Sequence, residues 1–359
     1  MKSTESMHVA SFLGLLVVVG AADAQLPRLA PLAQFGCERC EGPLLFSRIQ
    51  ALDIAPDRRI VVANKTEPHV RIFDASGRPQ AAFGRTGQGP AELETPMAIS
   101  VALDGTVEVI DMSRRRLVRF GPAGEDRGSV ALGGFASAGA FAPQGGHTVA
   151  VISAPGASVL KLLRVTGKEA TLLLEVKEPD FPQRPLGNIE ALSVAVAPDG
   201  SFVVGDGRGA YRIRRYKPDG TPAGEFGRTI AKLRRTPQEI RLESERRAKG
   251  IAAMQARIGQ SAGMPIIRIP PERDYFDAYA LQFDEKGRLW VQVGRGTPEQ
   301  TIFDVFDPSG GYLGEVIVPV AVQEYALGAG LLAASAYDEE GVPQVRVWTT
   351  DGAEASRVR

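Results

Sequence analysis

Cys37-Glu38-Arg39-Cys40 is the only pair of cysteines in the 359-residue chain. A C-x-x-C spacing serves haem attachment, zinc binding, redox exchange or a local disulfide. Haem attachment needs His after the second Cys, and Glu41 stands there. Zinc would need more ligands, and beyond residue 24 only His69 and His147 remain. A thioredoxin-like role needs a βαβ surround that the flanking sequence lacks. The pair therefore reads as a disulfide, Cys37 to Cys40, formed in an oxidising compartment. A redox-active pair is the alternative, because Arg39 would favour a thiolate.

Hydrolytic chemistry has little to build on. A Ser-His-acid triad needs a base that titrates near neutrality, and only those two histidines are at hand. Gly-x-Ser-x-Gly, His-Glu-x-x-His and a Walker loop are missing. The Gly-rich stretch 84–90 falls between strand signals rather than before a helix, so it reads as a connection and not as a phosphate cradle. Asn64-Lys65-Thr66 is a glycosylation sequon only in a eukaryotic source. Lys+Arg and Asp+Glu each number 42, which argues against a nucleic-acid partner held by overall charge. Hydrophobic residues are 44% and charged residues 23%, ordinary globular usage that excludes general disorder.

Residues 1–24 carry the marks of a secretory signal: Lys2 in a polar head, an apolar run from Val9 to Val19, then Ala22-Asp23-Ala24. The run is shorter than the roughly 20 residues that span a bilayer. The expectation is a secreted or periplasmic product beginning at Gln25, with no transmembrane segment after cleavage.

The elements that must position any site come from an internal repeat. A large apolar residue, three turn residues and Gly recur as Phe73–Gly77, Phe120–Gly124, Tyr216–Gly220, Phe306–Gly310 and Trp348–Gly352, with a weaker copy at Leu163–Gly167. In all but the last unit an earlier turn and a β-rich run precede it, as in Leu103-Asp-Gly105 followed by Val107-Glu-Val109. Each unit then reads as four short antiparallel strands over about 40–50 residues, which is one propeller blade. Six units fit, giving an all-β, six-bladed β-propeller. Gly352 leaves little chain for a last strand, so residues 43–49 are expected to close the ring as the outer strand of the last blade. The domain plan is a signal at 1–24, an N-terminal segment at 25–42 and the propeller at 43–359.

These units, with Phe83-Gly-Arg-Thr-Gly-Gln-Gly-Pro-Ala-Glu-Leu93 and its echo Phe226-Gly-Arg-Thr229, resemble the exported bacterial six-bladed propellers related to NHL repeats. The resemblance covers about residues 43–352 and implies the ring fold and a binding role. It does not imply an enzyme, because propellers host both.

Between the fourth and fifth units, residues 229–272 form an insertion. Thr236-Pro-Gln-Glu239 is a capping-box start, and 237–258 reads as helix with Ile251, Met254 and Ile258 as a narrow apolar stripe. Residues 228–258 hold nine Lys+Arg against three Asp+Glu. A solvated helix packed on the ring is one reading; a cover or partner-binding arm is the other.

In a propeller the loops between second and third strands share one face with the inter-blade connections. That face would carry Arg85, Arg208, Arg228 and Arg295, with Arg114, Arg115 and Arg116. Arg suits bidentate contacts to carboxylate or phosphate, so the leading expectation is an unidentified ligand or protein partner bound there, without a cofactor. Propeller lactonases hold a divalent cation near the axis on oxygen ligands. The alternative is therefore a metal-dependent hydrolase with Ca²⁺ on Asn64, Asp111 and Asp206, which end equivalent strands. Capping of the following backbone explains the same equivalence.

Overall fold

The computed structural model describes residues 25–133, 135–141, 148–153, 159–177, 192–258, 269–276 and 280–351. The signal segment, the turn at 142–145, His147 and Gly352 lie outside them. The chain opens with strand β1 (Ala30–Phe35). Blade one holds β2 (Ile49–Ile54), β3 (Ile60–Asn64), β4 (Val70–Phe73) and β5 (Pro79–Phe83). Two short strands, β6 (Arg85–Thr86) and β7 (Glu92–Leu93), pair in parallel within the next connection. Blade two is β8 (Pro96–Val101), β9 (Val107–Asp111), β10 (Arg116–Phe120) and β11 (Asp126–Ala131). Blade three is β12 (Phe135–Phe141), β13 (Thr148–Ser153), β14 (Val159–Thr166) and β15 (Glu169–Lys177). Blade four is β16 (Leu192–Val196), β17 (Phe202–Asp206), β18 (Arg212–Tyr216) and β19 (Pro222–Gly227). Helix α1 (Pro237–Ile258) follows in the chain. Blade five is β20 (Leu281–Phe283), β21 (Leu289–Thr297), β22 (Gln300–Phe306) and β23 (Tyr312–Val318). Blade six is β24 (Tyr325–Gly328), β25 (Leu331–Tyr337) and β26 (Pro343–Thr349), completed by β1.

The first strand of each blade touches its counterparts in the order β2, β8, β12, β16, β20, β24 and back to β2, which is the closed ring of a six-bladed propeller. The core follows from this. Among the described residues there are six apolar clusters, each shared by two adjacent blades. Strand side chains alternate between sheet faces. Ile60 and Val62 therefore enter the cluster with blade six, and Val61 and Ala63 enter the cluster with blade two. With both faces covered, second strands such as β3 and β25 are near-continuous apolar runs instead of alternating ones, while Glu108 and Gln292 interrupt those of blades two and five.

The ring closes in the expected manner but through a different segment. β1, not 43–49, pairs antiparallel with β26, from Ala30 opposite Thr349 to Phe35 opposite Val345. Residues 42–44 form a 3-10 turn, and Ile49 already belongs to blade one. The reason lies in the dipeptide Phe35-Gly36, which repeats the ends of two other outer strands at Phe83-Gly84 and Phe226-Gly227. The propeller thus begins before residue 43. Blade six also has the earlier turn that its sequence hides: Ala329 and Gly330, both at positive φ, reverse the chain between β24 and β25.

Those Phe residues do the same work three times. Each outer-strand Phe packs on the motif aromatic of the next blade: Phe35 on Phe73 at 4.7 Å, Phe83 on Phe120 at 5.2 Å and Phe226 on Phe306 at 5.3 Å between centroids. The same ring covers the next blade's motif glycine. A Cβ on Gly77, Gly124 or Gly310 would lie 2.5, 2.6 or 2.8 Å from it, and all three glycines have φ between 87° and 95°. The motif is therefore a blade-to-blade interlock as well as a turn. In blade four the backbone of Leu173 takes the place of the Phe beside Gly220.

Two expectations follow. Gly124→Ala should lose both the left-handed turn and the room for Phe83, whereas Gly341→Ala, at φ 82° with nothing near its missing Cβ, should lose the turn alone. Urea unfolding should place Gly341→Ala at about 1–2 kcal/mol and Gly124→Ala clearly beyond it; equal losses would disprove the interlock. Phe35→Ala should lower unfolding free energy by about 3–5 kcal/mol as a buried aromatic truncation. Leu45→Ala, within the segment first expected to close the ring but exposed, should stay within about 0.5 kcal/mol.

Candidate binding site on the loop-rich face

Antiparallel strands alternate direction, so the second-to-third loops and the inter-blade connections share one face. Much of the polar chemistry there holds the connections in place. At the end of β3, Asn64 Oδ1 accepts from the amides of Ser47 (3.3 Å) and Arg48 (3.4 Å). At the end of β9, Asp111 accepts from the amides of Glu94 (3.1 Å) and Thr95 (3.0 Å), one on each oxygen. An arginine of the same blade grips the carbonyls of the same connection. Arg71 donates to Pro43 (2.9 Å) and Leu45 (2.6 Å), and Arg116 to Gly89 (3.2 Å) and Glu92 (2.7 Å). Each connection is thus clamped from its donor and acceptor sides, as a buried backbone requires. Asp206 ends β17 at the equivalent position, with its side chain outside the described set.

Three of the residues raised by the sequence thereby acquire structural partners. Asn64 and Asp111 are fully buried and occupied by amides, and the sequon at Asn64 is closed in the folded chain. His69 is buried, with Nδ1 donating to the Asn64 carbonyl at 3.1 Å and Nε2 hydrogen-bonded to the Thr86 hydroxyl at 3.0 Å. Among the described residues no three His, Cys, Asp or Glu side chains are grouped to hold a metal ion.

The Gly-rich connection carries its own anion. Glu92 folds back so that Oε2 accepts from the Gly89 amide at 2.8 Å, and a Cβ on Gly87 would fall 2.0 Å from that oxygen. Arg85 projects from this loop, its side chain 82% exposed and 3.6 Å from Glu92.

The four candidate arginines separate. Arg228 and Arg295 come together on one carboxylate: Arg228 reaches Asp304 Oδ1 at 2.8 Å and Arg295 reaches the same atom at 2.6 Å. Glu315 adds contacts at 3.6 and 2.7 Å, so two cations meet two anions. Tyr211 Oη donates to Asp304 Oδ2 at 2.7 Å, and the Arg228 guanidinium lies 3.9 Å from the Tyr312 ring centroid. Burial, and then Asp304, push the Tyr211 phenol far up, so it stays a donor. Against the upward pull of partial burial, Arg295 and Arg228 hold Glu315 below its usual range. The group joins blades four and five and is neutral overall. Arg208 lies apart on the β17–β18 loop, its carbonyl accepting from Lys232.

Towards the axis, the unpaired edges of the innermost strands are capped across blades. Asp53 accepts from the Val101 amide at 2.7 Å, Ser193 Oγ from the Leu281 amide at 2.9 Å, and Gln282 Nε2 donates to the Tyr325 carbonyl at 2.8 Å. At the channel mouth stand the residues that lead into the innermost strands. In blade one this is Arg48; in the adjoining blade six it is Glu324. Glu324 is half-buried, and its carboxylate makes no hydrogen bond or ion pair within the described residues. Burial pushes it up to about 7, with the charge of Arg48 pulling the other way. The sequence offered no motif for either residue; only the register of the innermost strands singles them out.

No protein-family model matches the chain, and no curated protein matches it. Solved structures do. A member of the DUF4221 family from Bacteroides vulgatus matches with a TM-score of 0.54 at 10% identity, over 90% of this chain and 98% of that one. A Bacteroides fragilis protein inferred to be exported matches with a TM-score of 0.53 at 10% identity, over 92% and 98%. A gluconolactonase from Xanthomonas campestris gives 0.47 at 14% identity, over 91% and 96%. The likeness concerns the fold: the chain is a six-bladed β-propeller.

Asp53 gives a pH expectation. Burial raises its carboxyl from an ordinary 3.8 to about 7 against the lowering effect of the Val101 amide. The folded chain therefore binds this proton more tightly than the unfolded one. The group is harmless at acid pH, and stability falls as pH rises through that window. Asp53→Asn keeps an acceptor for Val101 and does not titrate. Its urea midpoint relative to wild type should climb between pH 4 and pH 8; a constant difference would mean that the carboxyl is not held neutral.

Proposed function

We propose that this chain is an exported propeller that binds a ligand or protein partner on its loop-rich face, centred on the channel mouth. The observation that carries this reading is the contrast in partners. Asn64, Asp111, Arg228 and Arg295 are engaged in holding the ring together. Glu324 stands half-buried without a donor among the described residues, and the cation that it feels, Arg48, forms no ion pair with it. A half-buried carboxylate without a protein partner is open to a donor that a ligand brings. Arg85 extends the surface outward. Arg228 and Arg295 would join it only by leaving Asp304.

The secretory signal expected at residues 1–24 and the exported protein of the same fold support a location outside the cytoplasm. Among the described residues no helix is long and apolar enough to cross a membrane. Helix α1 follows the outer strand of blade four, which ends on the loop-rich face. Its base is tied there: Thr236 and Glu239 form the expected capping box, Glu239 pairs with Arg273, and the Arg273 amide donates to the Leu233 carbonyl at 2.8 Å. We place the helix over or beside the loop-rich face as a binding arm. The side chains of Ile251, Met254 and Ile258 lie outside the described set.

A Ca²⁺-dependent hydrolase would need Asn64 and Asp111 to release the amides that they hold. The test uses thermal melting and titration with a panel of carboxylates, amino acids and phosphates, with CaCl₂ as a separate arm. A binder should lose at least about tenfold in affinity in Arg48→Ala and in Glu324→Gln, the loss of one charge-assisted contact. It should also weaken when 231–262 is replaced by a Gly-Ser linker. Unchanged affinity in both point variants removes the mouth from the reading. A large shift with CaCl₂ that is lost in Asp111→Asn would favour the hydrolase.

A further inference from the structure

Cys37 and Cys40 are joined, with Cα atoms 5.3 Å apart, and no free cysteine is present. Their place in the fold differs from that of a structural crosslink. They sit at the tip of the connection from β1 to β2, on the loop-rich face. The base of that connection is fixed without them. Phe35 and Phe46 are buried against each other and against Phe73, the last two meeting edge-on at 5.8 Å. Arg71 holds the Pro43 and Leu45 carbonyls, and β1 is paired along its length with β26. The disulfide itself subtends one tight turn, the Cys40 amide facing the Cys37 carbonyl at 3.4 Å. Both cysteines are half-buried, and Glu38, Arg39 and Glu41 around them are exposed. A link that closes so few residues removes little unfolded-state entropy.

We propose that the Cys37–Cys40 pair is a thiol–disulfide exchange site, reduced on the folded propeller by an external dithiol such as a periplasmic dithiol protein and reoxidised, by the reverse exchange, by the disulfide form of such a partner. The thiolate of the partner attacks one Sγ, the Sγ–Sγ bond breaks, and a mixed disulfide forms as the other cysteine leaves as a thiolate. The second thiol of the partner, once deprotonated, attacks its own sulfur in the mixed disulfide and releases the first cysteine. Two electrons and two protons reach the pair, and the partner leaves as its disulfide. The ring stays closed throughout, because Phe35, Arg71 and the β1–β26 ladder do not depend on the bond. Exposed disulfides are the exchangeable class, as access to sulfur controls the rate. Arg39 next to Cys40 favours the thiolate product.

The full chain is treated with dithiothreitol without denaturant, and free thiols are followed by alkylation and mass spectrometry. Reduction is expected at a rate within roughly tenfold of that for a peptide of residues 36–41, since the half-buried pair sits at a loop tip among exposed residues. The thermal midpoint should be unchanged within a few degrees, in the reduced chain and in the Cys37→Ser/Cys40→Ser double variant. At least one single variant, Cys37→Ser or Cys40→Ser, should form a mixed disulfide with oxidised glutathione in the folded state. Three results would each overturn the proposal: reduction that requires denaturant, collapse of the thermal midpoint on reduction, or failure of both single variants to form the adduct.

Discussion

The propeller depends on a contact that crosses from blade to blade: a phenylalanine at the end of one outer strand lying on the aromatic and the glycine of the next blade's turn. An outer strand is otherwise the weakest part of a blade, paired on one side only. Seating its last ring in the neighbouring turn makes blades six, one and four supports for blades one, two and five. The contact at Phe35 is the one that closes the circle. It joins the first strand of the described chain to blade one while β1 lies in blade six, so the ends of the ring are held by the same device as its middle.

That closing route also decides what reaches the loop-rich face. The connection from β1 to β2 carries the Cys37–Cys40 turn at its tip, the carbonyls gripped by Arg71 at its base and Arg48 at its end. Blade six brings Glu324 to the neighbouring position. Closure and candidate site are thus parts of one segment, and a change that shifts β1 would disturb both. Most other charges on the face have structural duties. Guanidinium groups satisfy carbonyls, Asn64 and Asp111 satisfy amides, and Asp304 gathers Arg228 and Arg295 into a neutral group between blades. Side chains so engaged are poor candidates for a ligand, because recruitment would first leave buried backbone or a buried carboxylate unpaired.

Turn chemistry was legible in the sequence because it is local. The motif glycines need positive φ, the Asp residues before them accept from their own following backbone while the Ser hydroxyls donate to the same carboxylates, and the Thr236–Glu239 capping box forms within four residues. Blade number and the Cys37–Cys40 pairing followed from such spacings. The closing strand was misplaced because a fourth strand supplied from the far end of the chain has no local pattern to mark its partner. Its one signal was the Phe35-Gly36 dipeptide shared with two other outer strands.

The sequence by itself determined the repeat, its turns, the helix start and the inventory of charged and thiol groups, since each rests on interactions within a few residues. Tertiary structure decided which of those groups have partners. Arg228 and Arg295 look no different from Arg48 in the sequence. Two of them converge on Asp304 and the third stands at the channel mouth, because strand register and ring closure, not composition, set which side chains meet. A charge becomes a candidate for recognition only when folding leaves it without a partner, and that is a property of the whole ring.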